Sequence, residues 1–113
     1  MPIQLAFKNE KLRRICESPV SAKRNLGPNA GQSLHARLAD LRAASSPVEL
    51  IKLGLARYDE GASNRIVIHL GDRYVVIAEA NHLEVPGGLD DIDWSQVTRL
   101  KITDIEPINE IRN

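Results

Sequence analysis

Arg65, His69 and Tyr74 are the residues whose types and spacing can do chemistry together. They lie in N-R-I-V-I-H-L-G-D-R-Y-V-V-I-A-E-A-N, residues 64–81, where two runs rich in Ile and Val meet at Gly71–Asp72. Glycine at the first loop position suits a two-residue type II′ turn, so the segment predicts a hairpin. That loop sets the facing pairs as Leu70–Arg73, His69–Tyr74, Ile68–Val75, Val67–Val76, Ile66–Ile77 and Arg65–Ala78. Alternation then gives Ile66, Ile68, Val75 and Ile77 one apolar face, with Arg65, His69 and Tyr74 on the other around Val67 and Val76. Histidine titrates near neutrality and moves protons, whereas arginine's planar fork holds two phosphate oxygens. Arg57 and Tyr58 approach the same face from the preceding loop, and Arg/Tyr pairs stack on exposed RNA bases. Arg73 belongs near the turn, reaching solvent past the sheet edge on its aliphatic stem. The same residues also fit a plain sheet surface, with His69–Tyr74 a packing pair contributing about 0.2–1 kcal/mol.

The elements that must position these groups follow from periodicity and punctuation. Ile3, Leu5 and Phe7 alternate with polar or small residues and predict a short first strand. Asn9 caps a helix through Glu17 with Leu12, Ile15 and Cys16 facing inward. Ser18–Pro19 opens a second helix that stops near Leu26–Gly27. Pro28 starts a third, to about Ala43, with Ala30, Leu34, Leu38 and Leu41 on one stripe. Ser46-Pro47-Val48-Glu49 has the form of a capping box for a shorter helix to Leu53. After the hairpin, His82–Asp93 contains Pro86, Gly87, Gly88 and four acids, and reads as an irregular loop. Val97, Leu100, Ile102 and Ile105 mark a last strand at roughly 96–106, ended by Pro107. Helices followed by antiparallel strands predict an α+β domain spanning 1–113.

Composition narrows the class. With 113 residues, 42% hydrophobic and 27% charged, the chain reads as one globular domain, and nothing approaches an apolar membrane span. No signal-peptide pattern opens it, so the cytoplasm is the expected compartment. The formal net charge of zero conceals an asymmetry: residues 1–43 carry +5 and residues 78–113 carry −5. Lys11, Arg13, Arg14, Lys23 and Arg24 form the basic cluster, suited to an anionic partner or to a solvated helix face. Cys16 stands alone and reads as a buried small hydrophobe, Trp94 as core. His35 and His82 have no partners at metal-ligand spacing.

Together, F-K-N-E-K-L-R-R-I-C-E at 7–17, L-H-A-R-L-A-D-L-R-A-A at 34–44, the hairpin, and D-W-S-Q-V-T-R-L-K-I-T-D-I-E at 93–106 span nearly the whole chain. In this order they resemble the RelE/ParE superfamily of toxin–antitoxin toxins, particularly the HigB-like (plasmid maintenance killer protein) branch. The resemblance implies N-terminal helices packed on a small curved antiparallel sheet, and an mRNA interferase, a ribosome-dependent endoribonuclease that inhibits translation using neither metal nor other cofactor. It also implies a helix-turn-helix antitoxin as partner, besides the ribosome and mRNA. The catalytic residues would be Arg65, His69 and Tyr74, with Arg57, Tyr58 and Arg73 on RNA. The chain departs from the family pattern in three places. Glu60-Gly61-Ala62-Ser63-Asn64 stands where relatives carry a basic G-D-R-K-G-like segment, and Arg73-Tyr74 replaces aromatic-Arg. Asp104-Ile105-Glu106-Pro107 stands where many HigB-like proteins end in D-Y-H. These departures define an alternative, a catalytically degenerate member of the fold that only binds its antitoxin or another protein.

Overall fold

Local capping chemistry starts and stops the helices. In α1 (Glu10–Glu17) the Asn9 side chain accepts the Leu12 N–H at 2.9 Å, a cap that contributes about 0.5–2 kcal/mol. Ser18 ends that helix by donating its N–H to the Arg14 carbonyl, and begins α2 (Pro19–Leu26) by accepting the Ser21 N–H on its hydroxyl. Gly27, at φ +90°, turns the chain between α2 and α3 (Pro28–Ala43). Ala30, Leu34, Leu38 and Leu41 form the buried stripe of α3, as expected. A Cβ on Gly31 would lie 3.1 Å from the Ala22 carbonyl carbon, so hydrogen at this position lets α2 and α3 pack backbone to backbone.

The expected capping box forms only in part. In α4 (Val48–Lys52) no side chain caps the first turn, and Glu49 reaches back to accept the N–H of Ser45, at 2.7 Å. That bond is the main reason its carboxyl is held below the ordinary carboxylate range.

The computed structural model describes residues 3–108, and they form an α+β fold on a five-stranded sheet. The strands are β1 (Gln4–Phe7), β2 (Ala56–Tyr58), β3 (Arg65–Leu70), β4 (Tyr74–Ala80) and β5 (Arg99–Pro107). Their order is β1-β5-β4-β3-β2; β1 runs parallel to β5 and the other pairs are antiparallel. All four helices fall between β1 and β2 in the chain, and α3 packs on β3. Leu34, Leu38, Leu41, Ile66, Ile68, Leu70, Leu100 and Ile102 are at most 1% exposed and make the centre of the core. No helix among the described residues is long and apolar enough to cross a membrane.

Three features of the sheet correct the sequence expectations. The hairpin register is shifted by one residue: Leu70 faces Tyr74, His69 faces Val75, Ile68 faces Val76, and Arg65 faces Glu79. The connection is therefore three residues, Gly71–Arg73, with Gly71 at φ +74°. Burial explains the choice: Ile66, Ile68 and Leu70 now face Ala78, Val76 and Tyr74, one apolar surface turned to the helices. Second, Arg57 and Tyr58 lie in strand β2, where a loop was expected. Third, β5 carries a bulge, since Ile77 faces Asp104 while Ala78 faces Ile102. Thr103 is the extra residue, and its hydroxyl donates to the Ile77 carbonyl at 3.3 Å. The bulge restores inward parity to Ile105, which accounts for the imperfect alternation of this strand.

The segment between β4 and β5 is irregular, as its glycines and prolines indicate. It is tied down by His82, whose Nε2 accepts the N–H groups of Thr98 at 3.1 Å and Arg99 at 3.2 Å. Gly87 (φ +81°) sits so close to Asp91 and Asp93 that a Cβ would fall 2.5 Å from the Asp91 carbonyl oxygen. The segment leads into a 3-10 turn, Trp94–Gln96, that seats Trp94 in the core.

Candidate site on the open face of the sheet

The face of the sheet turned away from the core presents its side chains in three cross-strand rows, read directly from the register. His69, Val75 and Glu106 form the first, and Arg57, Val67, Ile77 and Asp104 the second. Arg65, Glu79 and Lys101 form the third. Successive rows are about 6.6–6.8 Å apart, two residues along a strand. Val67 and Ile77, 3% and 8% exposed, make an apolar floor covered by the longer side chains around them.

Each cation on this face has its own setting. Arg57 is exposed on edge strand β2, with no ion pair among the described residues. Arg65 is half-buried and lies 3.6 Å (Nε to Oδ2) from Asp59, whose other oxygen accepts the Gly61 N–H at 2.8 Å. A pair this accessible contributes about 0–1 kcal/mol, so an anionic ligand can compete for the guanidinium. Lys101 is half-buried and, like Glu79, has no ion pair within 4 Å among the described residues. A hollow of about 230 Å³ opens here, lined by Arg65, Glu79, Lys101, Thr103 and Asp104, with Lys8 at its rim. His69 is half-buried, and its ring makes no hydrogen bond among the described residues. Its backbone N–H is held by the Leu55 carbonyl at 3.0 Å, which fixes the base of the side chain while leaving the ring nitrogens open to a ligand.

The structure thus brings together Arg57, Arg65 and His69 and separates the aromatic residues from them. Tyr74 faces Leu70 and packs against the core side of the sheet, not beside Arg65 and His69 as the two-residue turn implied. Tyr58 faces Ile66 and is likewise turned from the open face; its ring lies 6.1 Å from that of Trp94, tilted by 50°. Arg73 belongs to the turn and is exposed, with its carbonyl accepting the Ile108 N–H at 2.6 Å. Glu79, Lys101, Asp104 and Lys8 were not singled out from sequence. Glu79 and Arg65 would have been placed opposite each other by the three-residue turn, whereas the bulge at Thr103 hides the side on which Asp104 emerges.

The N-terminal basic cluster divides in the fold. Arg13 stacks 5.3 Å over the Phe7 ring and lies 3.8 Å from Glu10 and 3.6 Å from Glu17. Lys11, Arg14, Lys23 and Arg24 are exposed and carry no ion pair among the described residues. Cys16 is buried, and loss of solvation pushes its thiol up to about 11.

Comparisons of the chain with protein-family models, with characterised proteins and with solved structures give no match.

Proposed function

We propose that this chain is the toxin of a type II toxin–antitoxin pair and cleaves mRNA on the translating ribosome. The observation that carries the reading is the joint presentation of Arg57, Arg65 and His69 on one open sheet face, clear of the helices. Cleavage within RNA needs a base to take the proton of the 2′-OH and an acid to protonate the departing 5′-oxygen. It also needs cations for the charge that builds on the phosphorane. Attack of the 2′-oxygen on phosphorus breaks the bond to the 5′-oxygen and leaves a 2′,3′-cyclic phosphate and a 5′-hydroxyl.

The rows refine the roles. Arg65 and His69 are four residues apart on β3, about 13 Å, too far to serve one phosphate. Arg57, opposite Val67, lies midway. In this reading Arg57 holds the reacting phosphate, His69 transfers a proton beside it, and Arg65 holds the neighbouring phosphate after release from Asp59. Tyr74 takes no part on this face.

One observation favours a second reading, a protein-binding module without catalysis. Glu79, Asp104 and Glu106 stand on the same face, and Asp59 neutralises Arg65, which weakens the field a polyanion would meet. Induced expression distinguishes the two. The toxin reading expects growth and translation to stop, with His69→Ala and Arg57→Ala relieving the arrest. Unchanged translation together with co-purification of a small helix-turn-helix protein would establish the second.

A further inference from the structure

A second hollow, of about 420 Å³, lies on the helix side of the sheet, where α1 and the end of α2 meet the ends of β4 and β5. It has the size of a small-ligand site, about 300–1,000 Å³. It adjoins the hollow on the open face, with Lys8, Thr103 and Asp104 lining both. The two meet where β1 stops at Phe7, paired with Ile102, and leaves the rest of β5 without a strand on that side among the described residues.

The lining is chemically mixed in an ordered way. Tyr74 lines the hollow together with the apolar side chains of Leu26 and Ile105. Asn25 donates one amide hydrogen to the Ser21 carbonyl at 2.7 Å, leaving its side-chain oxygen as an acceptor. Lys8 and Lys11 stand exposed at the rim with no ion pair among the described residues. An aromatic ring between aliphatic walls, an amide acceptor and two lysines are what a nucleobase with its phosphate requires: a stacking surface, an edge to pair with, and cations.

We propose that this groove binds one nucleotide of a single-stranded RNA whose neighbouring phosphates cross the open face. The ring of Tyr74 stacks on the base, Asn25 accepts from its edge, and Lys8 and Lys11 hold the adjoining phosphate. Asp104, at the junction of the two hollows, accepts from the ribose hydroxyl as the strand passes the edge of β5. The site rests on the RNA-cleaving reading, and it gives Tyr74 a binding role on the face where the register puts it.

Titration of the purified chain with the four nucleoside 5′-monophosphates, and with ribose 5-phosphate as the baseless control, tests this by amide chemical shifts and calorimetry. Nucleotides are expected to perturb the amides of Lys11, Asn25 and Ile105, and ribose 5-phosphate to bind more weakly. Tyr74→Ala should weaken nucleotide binding about 5- to 100-fold, the range that loss of one stacked base covers, and Tyr74→Phe should retain it. Because Tyr74 is half-buried, the exposed Asn25→Ala supplies a second variant with no cost to the core; several-fold weaker binding is expected. Equal binding of ribose 5-phosphate, or unchanged binding in both Tyr74→Ala and Asn25→Ala, overturns the groove. Groove binding by a wild-type chain that cleaves no mRNA would sustain the site and refute only the cleavage reading.

Discussion

The two faces of the sheet are built on opposite rules. On the helix side Ile66, Ile68, Val76, Ala78, Leu100 and Ile102 are at most 1% exposed and answer only to packing. On the open side Val67, Val75 and Ile77 make an apolar floor among His69, Arg57, Arg65, Glu79, Lys101, Asp104 and Glu106. The first face specifies the fold by burial, whereas the polar groups of the second are half-buried or exposed among the described residues. Stability and activity should therefore separate cleanly between adjacent residues of a single strand.

Variants that trade one face against the other can break that separation. The largest effect is expected from His69→Ala, which should lower RNA cleavage about 10²–10⁴-fold while changing unfolding free energy by no more than about 0.5 kcal/mol. Cleavage rates and denaturant melts on the same preparation check it; a large loss of stability would mean His69 is a packing residue. One position away, Ile68→Ala should cost about 2–5 kcal/mol by leaving a core cavity, and the folded fraction should keep its specific activity.

His82→Ala should come next, at about 1–3 kcal/mol, because two backbone N–H groups at the start of β5 lose their acceptor. Hydrogen exchange should then quicken at Thr98 and Arg99 before the rest of the sheet. The smallest effect concerns Cys16. Its thiol is raised in the folded chain from 9.0 to about 11 by burial, so the folded state keeps a proton that the unfolded chain has lost. Stability should fall as pH rises from 9 towards 11, and Cys16→Ala should flatten that slope. A wild-type slope equal to that of the alanine variant would show the thiol to be accessible.

Local chemistry was legible in the sequence, and pairing across the sheet was not. Asn9, Ser18, Gly27 and Pro28 act within a few residues of themselves, so α1, α2 and α3 start and end where the letters indicate. The hairpin register is different. Ile66-Val67-Ile68 and Val75-Val76-Ile77 are unbroken apolar runs, so alternation gives no preference between the two faces, and Gly71 suits either turn length. The decision lies with burial against the helices, which turns Tyr74 and Val76 inward together. Strand β2 is only three residues long, too short to show any period. The candidate site was legible to the same extent. Arg65 and His69 lie on a strand whose outward residues could be counted, whereas Arg57 sits on a strand too short to recognise and the partners from β5 depend on a bulge no pattern announces.

Whether the open face cuts RNA can be read directly from the ends left on a message. Purified wild-type chain and its Arg57→Ala variant, incubated with ribosomes programmed with a defined mRNA, test this when the new ends are mapped. Wild type is expected to leave fragments with 2′,3′-cyclic phosphate and 5′-hydroxyl ends, and Arg57→Ala to leave the message intact. Intact message with wild type, or equal cleavage by both proteins, would contradict it.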